Sequence, residues 1–582
     1  MPTEQMHAAR NNLNMAMAVV AGVALGGAAW GMTIDRDSTQ ISLYFLAVQD
    51  LPALVLFGLF FAGLAAVLGS RLAVALPSIK PQHEFRLTWI TLVAGCCIVW
   101  VGARVVYLNF GLSADEFMAE FDARIISSGR LLASVAPDWR AYVPALQPIF
   151  RLELPDNTAW VSSYLPMNAA IRAVFVLLGD PAWEGVVLAG VAIIAVFAVA
   201  RRLWPDRPDA AVVGIILLVC SSQFLITAMT PYAMTAHLAL NMVWLWLFLR
   251  DTRASHGMAA GVAFVACGLH QVVFHPLFAA PFLVALVLAR RWKLATYYAA
   301  VYGVIGLFWI LYWSFLLHVA NGPAAPSAHA GMLDFIHRVL VMIDVSPAGF
   351  LLMGLNLLRF LAWQSPLLMP LALVGLFAAR ARNAAVVRLA AGIVLTLGVV
   401  LVLMPFQGHG WGYRYLHGLL GSLSLMAAQG WIQVTERESR MARTPALALS
   451  SSVLLSLFVL LPWRASQVHG FVAPYASATQ AIQHAGAEVV LVDPTAIWYG
   501  QDLVRNDPFL HTPPKVLGLW KLDEARLSEL CRRYDVAIFD QADARRIGMR
   551  VVPSLPVMAE HDSELRTLAR SLGCGRPVIA HR

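Results

Sequence analysis

The feature that constrains this chain most is a succession of long apolar runs separated by short polar segments. The 582 residues are 59% hydrophobic and only 13% charged, whereas a soluble domain carries roughly 25% charged residues. A membrane-spanning helix needs about 20 mostly apolar residues, and such runs recur from residue 14 to residue 463. The sequence therefore predicts an all-α polytopic membrane protein over most of its length.

The apolar runs predict about thirteen spanning helices. Lys and Arg accumulate in cytoplasmic loops, so Arg71, Lys80 and Arg86 place the second loop, and with it the N-terminus, in the cytoplasm. The net charge of +8 is spread over such loops, and no nucleic-acid partner is expected. The predicted helices are 14–33, 51–76, 88–108, 183–203, 210–229, 233–250, 257–272, 275–291, 296–318, 362–379, 388–405, 413–433 and 445–463.

The same rule places several segments outside. The first external loop holds Asp35, Asp37 and Asp50, and two longer segments follow at 109–182 and 319–361. The later segment contains four ionisable residues, which are Asp334, His337, Arg338 and Asp344.

The apolar stretch 165–179, near the end of the external loop 109–182, allows two interpretations. It is either a short spanning helix or a helix lying on the outer surface. If it spanned, the basic pair Arg201 and Arg202 would lie outside, so the charge rule favours the surface helix.

Residues 464–582 form a different kind of segment. The apolar runs 488–492 and 536–539 are typical of buried strands, and helical patterns lie at 475–485, 523–534 and 562–571. We expect a small external α/β domain. Cys531 and Cys574 either pair in an oxidising compartment or remain two buried thiols, because the sequence does not give their separation. The predicted division is 1–87 (additional helices), 88–463 (a membrane module with the loop 109–182) and 464–582.

A carboxylate pair stands where the third predicted helix emerges on the external side. Asp115 and Glu116 follow the apolar run that ends near residue 108. Ionisable groups close to a membrane are costly and count as functional candidates. Adjacent side chains on a helix point apart, so one would act as a base while the other binds metal, substrate or structure. The alternative is that the pair only caps a surface helix.

The cationic candidates lie at outer helix ends. Arg414 could match phosphate oxygens with its guanidinium, or it could anchor at the interface beside Tyr413 and Tyr415. His270 and His275 could donate hydrogen bonds to a phosphate or sugar. Their spacing of five residues does not suit a shared metal, and a packing role is the alternative.

A series of short motifs occurs in a fixed order along residues 88–460. The motifs are Asp115-Glu116, then Phe121-Asp-Ala-Arg124 and Ser128-Gly-Arg-Leu131, then Tyr164-Leu-Pro166, Thr230-Pro-Tyr-Ala-Met-Thr-Ala-His237 and Gly412-Tyr-Arg-Tyr415. These motifs and their order resemble those of the GT-C membrane glycosyltransferases, in the branch of protein O-mannosyltransferase-like and aminoarabinose-transferase-like enzymes.

The resemblance implies a sugar donor linked to a polyprenyl phosphate and an acceptor that is a glycolipid, a polysaccharide or a protein. It implies Asp115 as general base, with Glu116 second, and inversion at the anomeric carbon. The expected substrate-binding residues are Arg414, His270, His275, Tyr164, Tyr232 and Tyr413. No cofactor is certain, and a divalent metal is one option.

The implied location is a bacterial inner membrane, with the C-terminal domain periplasmic. Two alternatives remain open: a transporter or flippase for a lipid-linked or small polar substrate, and a non-catalytic scaffold in envelope assembly.

Overall fold

The computed structural model describes residues 2–69, 83–154, 156–321, 343, 345–379, 383–435, 443–553 and 556–579. The loop with Arg71 and Lys80, and the external residues Asp334, His337, Arg338 and Asp344, lie outside this described part. The chain divides into two compact units. We call Met1–Gly102, Ala182–Ile310 and Gly331–Gln467 the helical unit, and Ala103–Pro181, Leu311–Ala330 and Val468–Arg582 the mixed unit.

The described residues contain the following helices: α1 Pro2–Gly31, α2 Ile41–Phe45, α3 Leu51–Gly69, α4 Glu84–Val105, α5 Ala114–Ser127, α6 Val143–Leu146, α7 Met167–Leu177, α8 Trp183–Leu203, α9 Pro208–Val219, α10 Ser222–Ala228, α11 Met234–Arg250, α12 Arg253–Cys267, α13 Phe274–Leu288, α14 Trp292–Asn321, α15 Pro347–Ala362, α16 Leu368–Ala379, α17 Ala384–Leu403, α18 Leu420–Thr435, α19 Arg443–Leu455, α20 Leu461–Gln483, α21 Glu524–Arg533, α22 Gln541–Ile547 and α23 Pro556–Ser571.

Seven helical segments in the described ranges are long and apolar enough to cross a membrane, and the pair α9 and α10, bent by 63°, would be an eighth. The polytopic helical fold is thus confirmed, while the count of thirteen spans stays a prediction. The seven are Asn12–Gly31, Ile41–Val67, Glu84–Val105, Trp183–Leu203, Trp292–Ala320, Ala384–Leu403 and Pro445–Gln483.

Close helix packing in the helical unit depends on glycine. A Cβ on Gly375 of α16 would lie 2.0 Å from the Met426 carbonyl oxygen of α18, and one on Gly430 of α18 would lie 2.0 Å from the Leu371 oxygen. Small residues allow the backbones of apolar helices to approach each other in this way. The segment of α18 that leads away from Arg414 is therefore fixed against α16.

The position of Asp50 contradicts its predicted place in the first external loop. It lies in a π-helical turn, Leu46–Asp50, inside the segment Ile41–Val67, and its side chain is fully buried. Its carboxylate pairs with Arg359 Nε at 3.1 Å and Arg464 NH1 at 3.0 Å and accepts a 2.6 Å hydrogen bond from Trp363 Nε1. The start of the second helix was predicted wrongly because a charged residue was expected to be exposed to water. In the structure, Asp50 is buried beside two guanidinium groups that are distant in the sequence and offset the cost of its burial.

The mixed unit contains a parallel sheet. Its strands are β3 Val489–Val492, β4 Lys515–Gly518, β5 Val536–Phe539 and β6 Arg576–Pro577, in the order β4-β3-β5-β6. The predicted runs at 488–492 and 536–539 are confirmed as strands, and every residue of β3 and β5 is buried, as the central strands of a covered parallel sheet require. Two short strands, β1 Ala133–Ser134 and β2 Ala159–Trp160, pair antiparallel elsewhere in the unit.

Residues 103–181 share one hydrophobic core with the C-terminal residues. Phe121 and Trp160 belong to the same buried cluster as Leu491, Leu517 and Ile538. The predicted three-part division assigned these two segments to different parts of the chain, and their packing joins them into one unit. Cys531 and Cys574 are bonded to each other, with their Cα atoms 5.6 Å apart.

The helix α7 corresponds to the ambiguous stretch 165–179. Its eleven residues extend about 16 Å, which is too short to cross a hydrocarbon layer of about 30 Å. It packs on α5 through Ala123, Ala169 and Ala173, and Arg172 pairs with Glu120 at 3.2 Å. The structure therefore agrees with a helix that does not span.

Candidate functional site

The helix α5 begins with a capping box. The Ser113 side chain accepts from the Glu116 backbone N–H, while Glu116 Oε2 accepts from the Ser113 backbone N–H at 2.7 Å. Glu116 is 1% exposed. Its carboxylate thus satisfies the end of the helix, so the capping alternative describes Glu116, and Asp115 is the half-buried member of the pair.

Arg505, a residue the sequence analysis did not single out, fixes the chain just before α5. Its NH2 group donates to the Leu112 carbonyl oxygen at 2.7 Å, and its guanidinium carbon lies 4.1 Å from the centre of the Phe110 ring. Burial lowers the pKa of Arg505, against the opposing effect of carboxylates that include Glu116. The C-terminal segment therefore helps to place the carboxylate pair.

Asp115 accepts a hydrogen bond from the phenol of Tyr164 through Oδ1. Tyr164 lies two residues after Ser162, whose backbone N–H donates to Asp122 Oδ1 at 3.1 Å and whose hydroxyl donates to Asp122 Oδ2. Burial raises the pKa of the Asp122 carboxyl from 3.8 to about 6, although both bonds from Ser162 act in the opposite direction. Two of the residues predicted for the site, Asp115 and Tyr164, are thus brought together.

The helical unit contains a small cavity that is partly open to solvent. Its lining is mostly apolar and aromatic, with a few polar groups, which is the usual composition of a ligand pocket. The lining residues are Met234, His237, Asn241, Phe274, Phe278, Thr396, Arg414, Tyr415, Gly418 and Leu419.

Arg414 supplies the cationic group of this cavity. Its guanidinium carbon lies 4.8 Å from the centre of the Tyr232 ring and 5.2 Å from that of Tyr415, so aromatic faces stabilise the cation. The Arg414 backbone N–H donates to Gln407 Oε1 at 2.9 Å, and Gln407 Nε2 donates to the Gly412 oxygen at 2.9 Å. The predicted binding residues Arg414 and Tyr232 therefore lie together.

His237 is a stronger candidate than the sequence suggested. It is 5% exposed and lines the cavity, and neither ring nitrogen has a hydrogen-bond partner among the described residues. A buried polar group without a partner is costly, so a ligand atom would satisfy it. His237 and Asn241 are four residues apart, which puts both on one helix face. This spacing is the sequence signal that could have identified His237 as a candidate.

Of the other predicted binding residues, His275 and Tyr413 form hydrogen bonds within the protein. Both ring nitrogens of the fully buried His275 are engaged, Nδ1 with Asn241 Oδ1 at 2.7 Å and Nε2 with the Tyr302 hydroxyl at 2.9 Å. The Tyr413 phenol donates to the Met404 oxygen. His270 lies in the turn between α12 and α13 and is not among the cavity-lining residues found in the described ranges.

The predicted residues fall in two compact units. Asp115, Glu116 and Tyr164 belong to the mixed unit, and Arg414 with its neighbours belongs to the helical unit. That these groups share one site stays a prediction. Within the described ranges, no group of three or more His, Cys, Asp or Glu side chains is arranged to hold a metal ion.

No known family model matches this sequence, and no curated protein does. Among solved structures, the chain is similar to ArnT from Cupriavidus metallidurans bound to undecaprenyl phosphate, with 14% identity over 84% of this chain and 89% of that one and a TM-score of 0.48. It is also similar to ArnT from the same organism in the apo state, with 14% identity over 81% of this chain and 90% of that one and a TM-score of 0.47. A third similar structure is the arabinofuranosyltransferase AftD from Mycobacteria, with 15% identity over 84% of this chain and 37% of that one and a TM-score of 0.42. TM-scores below 0.5 mark only a partial likeness of the chain path.

Proposed function

We propose that this chain is an integral membrane glycosyltransferase that moves a sugar from a polyprenyl-phosphate donor to an acceptor on the external face of the membrane. The observation that carries the proposal is the cavity in the helical unit, where Arg414 and His237 stand among apolar and aromatic side chains. Such a lining suits a ligand with an anionic group and an apolar chain.

Arg414 and His237 have complementary roles in this proposal. The guanidinium of Arg414 binds the donor phosphate, whose charge would otherwise be costly among apolar helices. His237 hydrogen-bonds a phosphate or sugar oxygen with its unsatisfied ring. Tyr232 and Tyr415 hold the guanidinium by their ring faces, while His275 and Tyr413 support the surrounding packing.

Asp115 is the general base of the proposed reaction. It takes the proton of the acceptor hydroxyl, whose oxygen forms the new bond to the anomeric carbon. The bond from that carbon to the phosphate oxygen breaks, and the lipid phosphate leaves with the electron pair. Attack opposite the leaving group inverts the anomeric centre. Glycolipid, polysaccharide and protein hydroxyls are the acceptor classes to be tried.

The first test measures lipid binding. Purified protein in detergent is titrated with undecaprenyl phosphate, and Arg414→Gln is compared with wild type. Losing a hydrogen bond to a charged group costs about 1.5–3 kcal/mol, so we expect about 10–100-fold weaker binding. Arg250→Gln is the matched control, because Arg250 is also an arginine at a helix end beside an aromatic ring, at 4.9 Å from Trp246. Equal binding by wild type and Arg414→Gln would refute the assigned role.

The second test measures turnover. Protein in vesicles is supplied with a bacterial extract of polyprenyl-phosphate sugars, and transferred sugar is detected by mass spectrometry. We expect Asp115→Asn to lower kcat by about 10²–10⁴, the usual contribution of a general base, while binding of undecaprenyl phosphate persists. Asp138→Asn, an exposed carboxylate of the same unit, is the control. Full turnover by Asp115→Asn would exclude it as the base.

A transporter or flippase for a lipid-linked or small polar substrate is the second candidate, and two observations favour it. Transporters use broken helices and ionisable groups within the membrane, and here α9 and α10 form a pair bent by 63° while Asp50 is buried with two arginines. Vesicles separate the two functions: a transporter moves the lipid-linked sugar without chemical change and keeps this activity in Asp115→Asn, whereas the enzyme loses sugar transfer in that variant.

A further inference from the structure

Hydrogen bonds tie the segment 162–164 to Asp122 at one end and to Asp115 at the other, and the Tyr164 side chain connects the two ends. Asp122 accepts from the hydroxyl and the backbone N–H of Ser162. The Ser162 oxygen in turn accepts from the Tyr164 backbone N–H at 3.3 Å, and the Tyr164 phenol donates to Asp115 Oδ1. One helix thus holds both ends of the segment.

Helix geometry explains why both carboxylates meet this segment. Asp115 and Asp122 are seven residues apart on α5, and seven residues are close to two full turns. The two side chains therefore lie on one face, about 10 Å apart along the axis. The segment 162–164 runs along that face and joins them.

The segment also has contacts outside α5. Trp313 Nε1 donates to the Ser163 carbonyl oxygen at 3.1 Å, and the Ser163 N–H donates to the Phe150 oxygen at 2.8 Å. The Phe150 and Tyr164 rings are 5.3 Å apart. The backbone that carries the phenol is therefore fixed at several points, which leaves little freedom in the position of the hydroxyl.

We propose that Tyr164 is a positioning residue for Asp115, anchored by Ser162 and Asp122, rather than a stacking platform for the sugar. The inference rests on the proposed function, because it needs Asp115 to act as the base. The phenol sets the rotation of the carboxylate before the acceptor arrives. Preorganisation of this kind matters for the chemical step, since small misplacements of a catalytic group are costly in rate.

The test separates the Tyr164 hydroxyl from its ring. Tyr164→Phe keeps the ring and removes only the hydroxyl, whereas Tyr164→Leu removes both. With the extract of polyprenyl-phosphate sugars as probe, we expect Tyr164→Phe to lower kcat about tenfold or more, in line with a hydrogen bond to a charged group, with KM changed less than twofold. A stacking role predicts the opposite: normal kinetics for Tyr164→Phe and a raised KM for Tyr164→Leu.

The anchor is tested by a matched pair of variants. Ser162→Ala removes the oxygen that serves both Tyr164 and Asp122, while Ser162→Thr retains a hydroxyl. We expect kcat to fall in Ser162→Ala and to recover at least in part in Ser162→Thr, and thermal unfolding is measured to verify that both variants are folded at the assay temperature. Because both residues act through Asp115, Tyr164→Phe combined with Ser162→Ala should cost less than the product of the single effects.

The outcomes distinguish this inference from the proposed function. Full turnover by Asp115→Asn would overturn both the role of Asp115 as the base and the inference about Tyr164. If Asp115→Asn is inactive while Tyr164→Phe has normal kcat and KM, Asp115 keeps its role as the base, but the positioning role of Tyr164 is overturned. Equal loss of kcat in Ser162→Ala and Ser162→Thr would overturn the anchor.

Discussion

Two buried carboxylates, one in each compact unit, are held in different ways. Asp50 of the helical unit is matched by two guanidinium groups and one indole N–H. Asp122 of the mixed unit is held by the hydroxyl and backbone N–H of one serine. Apolar helices leave few backbone donors unused, so Asp50 depends on charged side chains. An irregular loop offers neutral donors, so Asp122 can be buried without a counter-ion.

The difference determines what each carboxylate can do. Asp50 is the counter-ion shared by two buried guanidinium groups, and removing it leaves both positive charges without a partner carboxylate. A carboxylate held by neutral donors has a pKa near 6, so its protonation changes within an ordinary pH range. We therefore expect Asp50 to make the larger contribution to stability and Asp122 to give stability a pH dependence.

The largest expected effect is that of Asp50→Asn. The substitution keeps the shape and leaves Arg359 and Arg464 buried without their carboxylate, which should lower the free energy of unfolding by about 3–5 kcal/mol. Thermal unfolding in detergent measures the change. Asp535→Asn is the control, because Asp535 pairs with Arg576 at the surface and such pairs contribute about 0–1 kcal/mol. Similar losses of stability for Asp50→Asn and Asp535→Asn would contradict the expected difference between buried and surface pairs.

A smaller effect is expected from titrating Asp122. Because its pKa is raised from 3.8 to about 6, the folded chain retains a proton that the unfolded chain loses between about pH 4 and 6. Its contribution to stability therefore falls as the pH rises through that window, by roughly 3 kcal/mol in total, and stays constant above it. Asp122→Asn should lack this component in unfolding measured against pH, whereas Asp138→Asn should keep it. Identical pH profiles for wild type and Asp122→Asn would contradict the raised pKa.

The smallest effect tests the neutral contacts alone. Asn506 is buried and donates to the Leu146 and Val516 carbonyl oxygens at 2.8 and 2.7 Å, while it accepts from the Val516 N–H at 2.9 Å. Asn506→Leu leaves these backbone groups unpaired, so we expect a loss of about 2 kcal/mol, with no dependence on pH. The exposed Gln483→Leu is the control. A loss as large as that of Asp50→Asn would show that neutral networks and ion pairs are equivalent here.

Features that depend on neighbouring residues could be predicted from the sequence. Runs of apolar residues predicted membrane helices, since such runs must be buried or face lipid wherever they fall. The short runs at 488–492 and 536–539 predicted strands, and both are central strands of the sheet. Ser113 followed three residues later by Glu116 was a visible capping box, and this signal could have separated Glu116 from Asp115 at the start.

Features that depend on residues far apart in the chain were decided only by the tertiary structure. Asp50 and its partner Arg359 are 309 residues apart, and Tyr164 lies 49 residues from Asp115. No local pattern encodes such pairs, because the cost of closing a long loop hardly depends on which residues it joins. The sequence determined which groups needed a partner, through the cost of burying a charge or a polar atom. Packing decided which partner each group obtained.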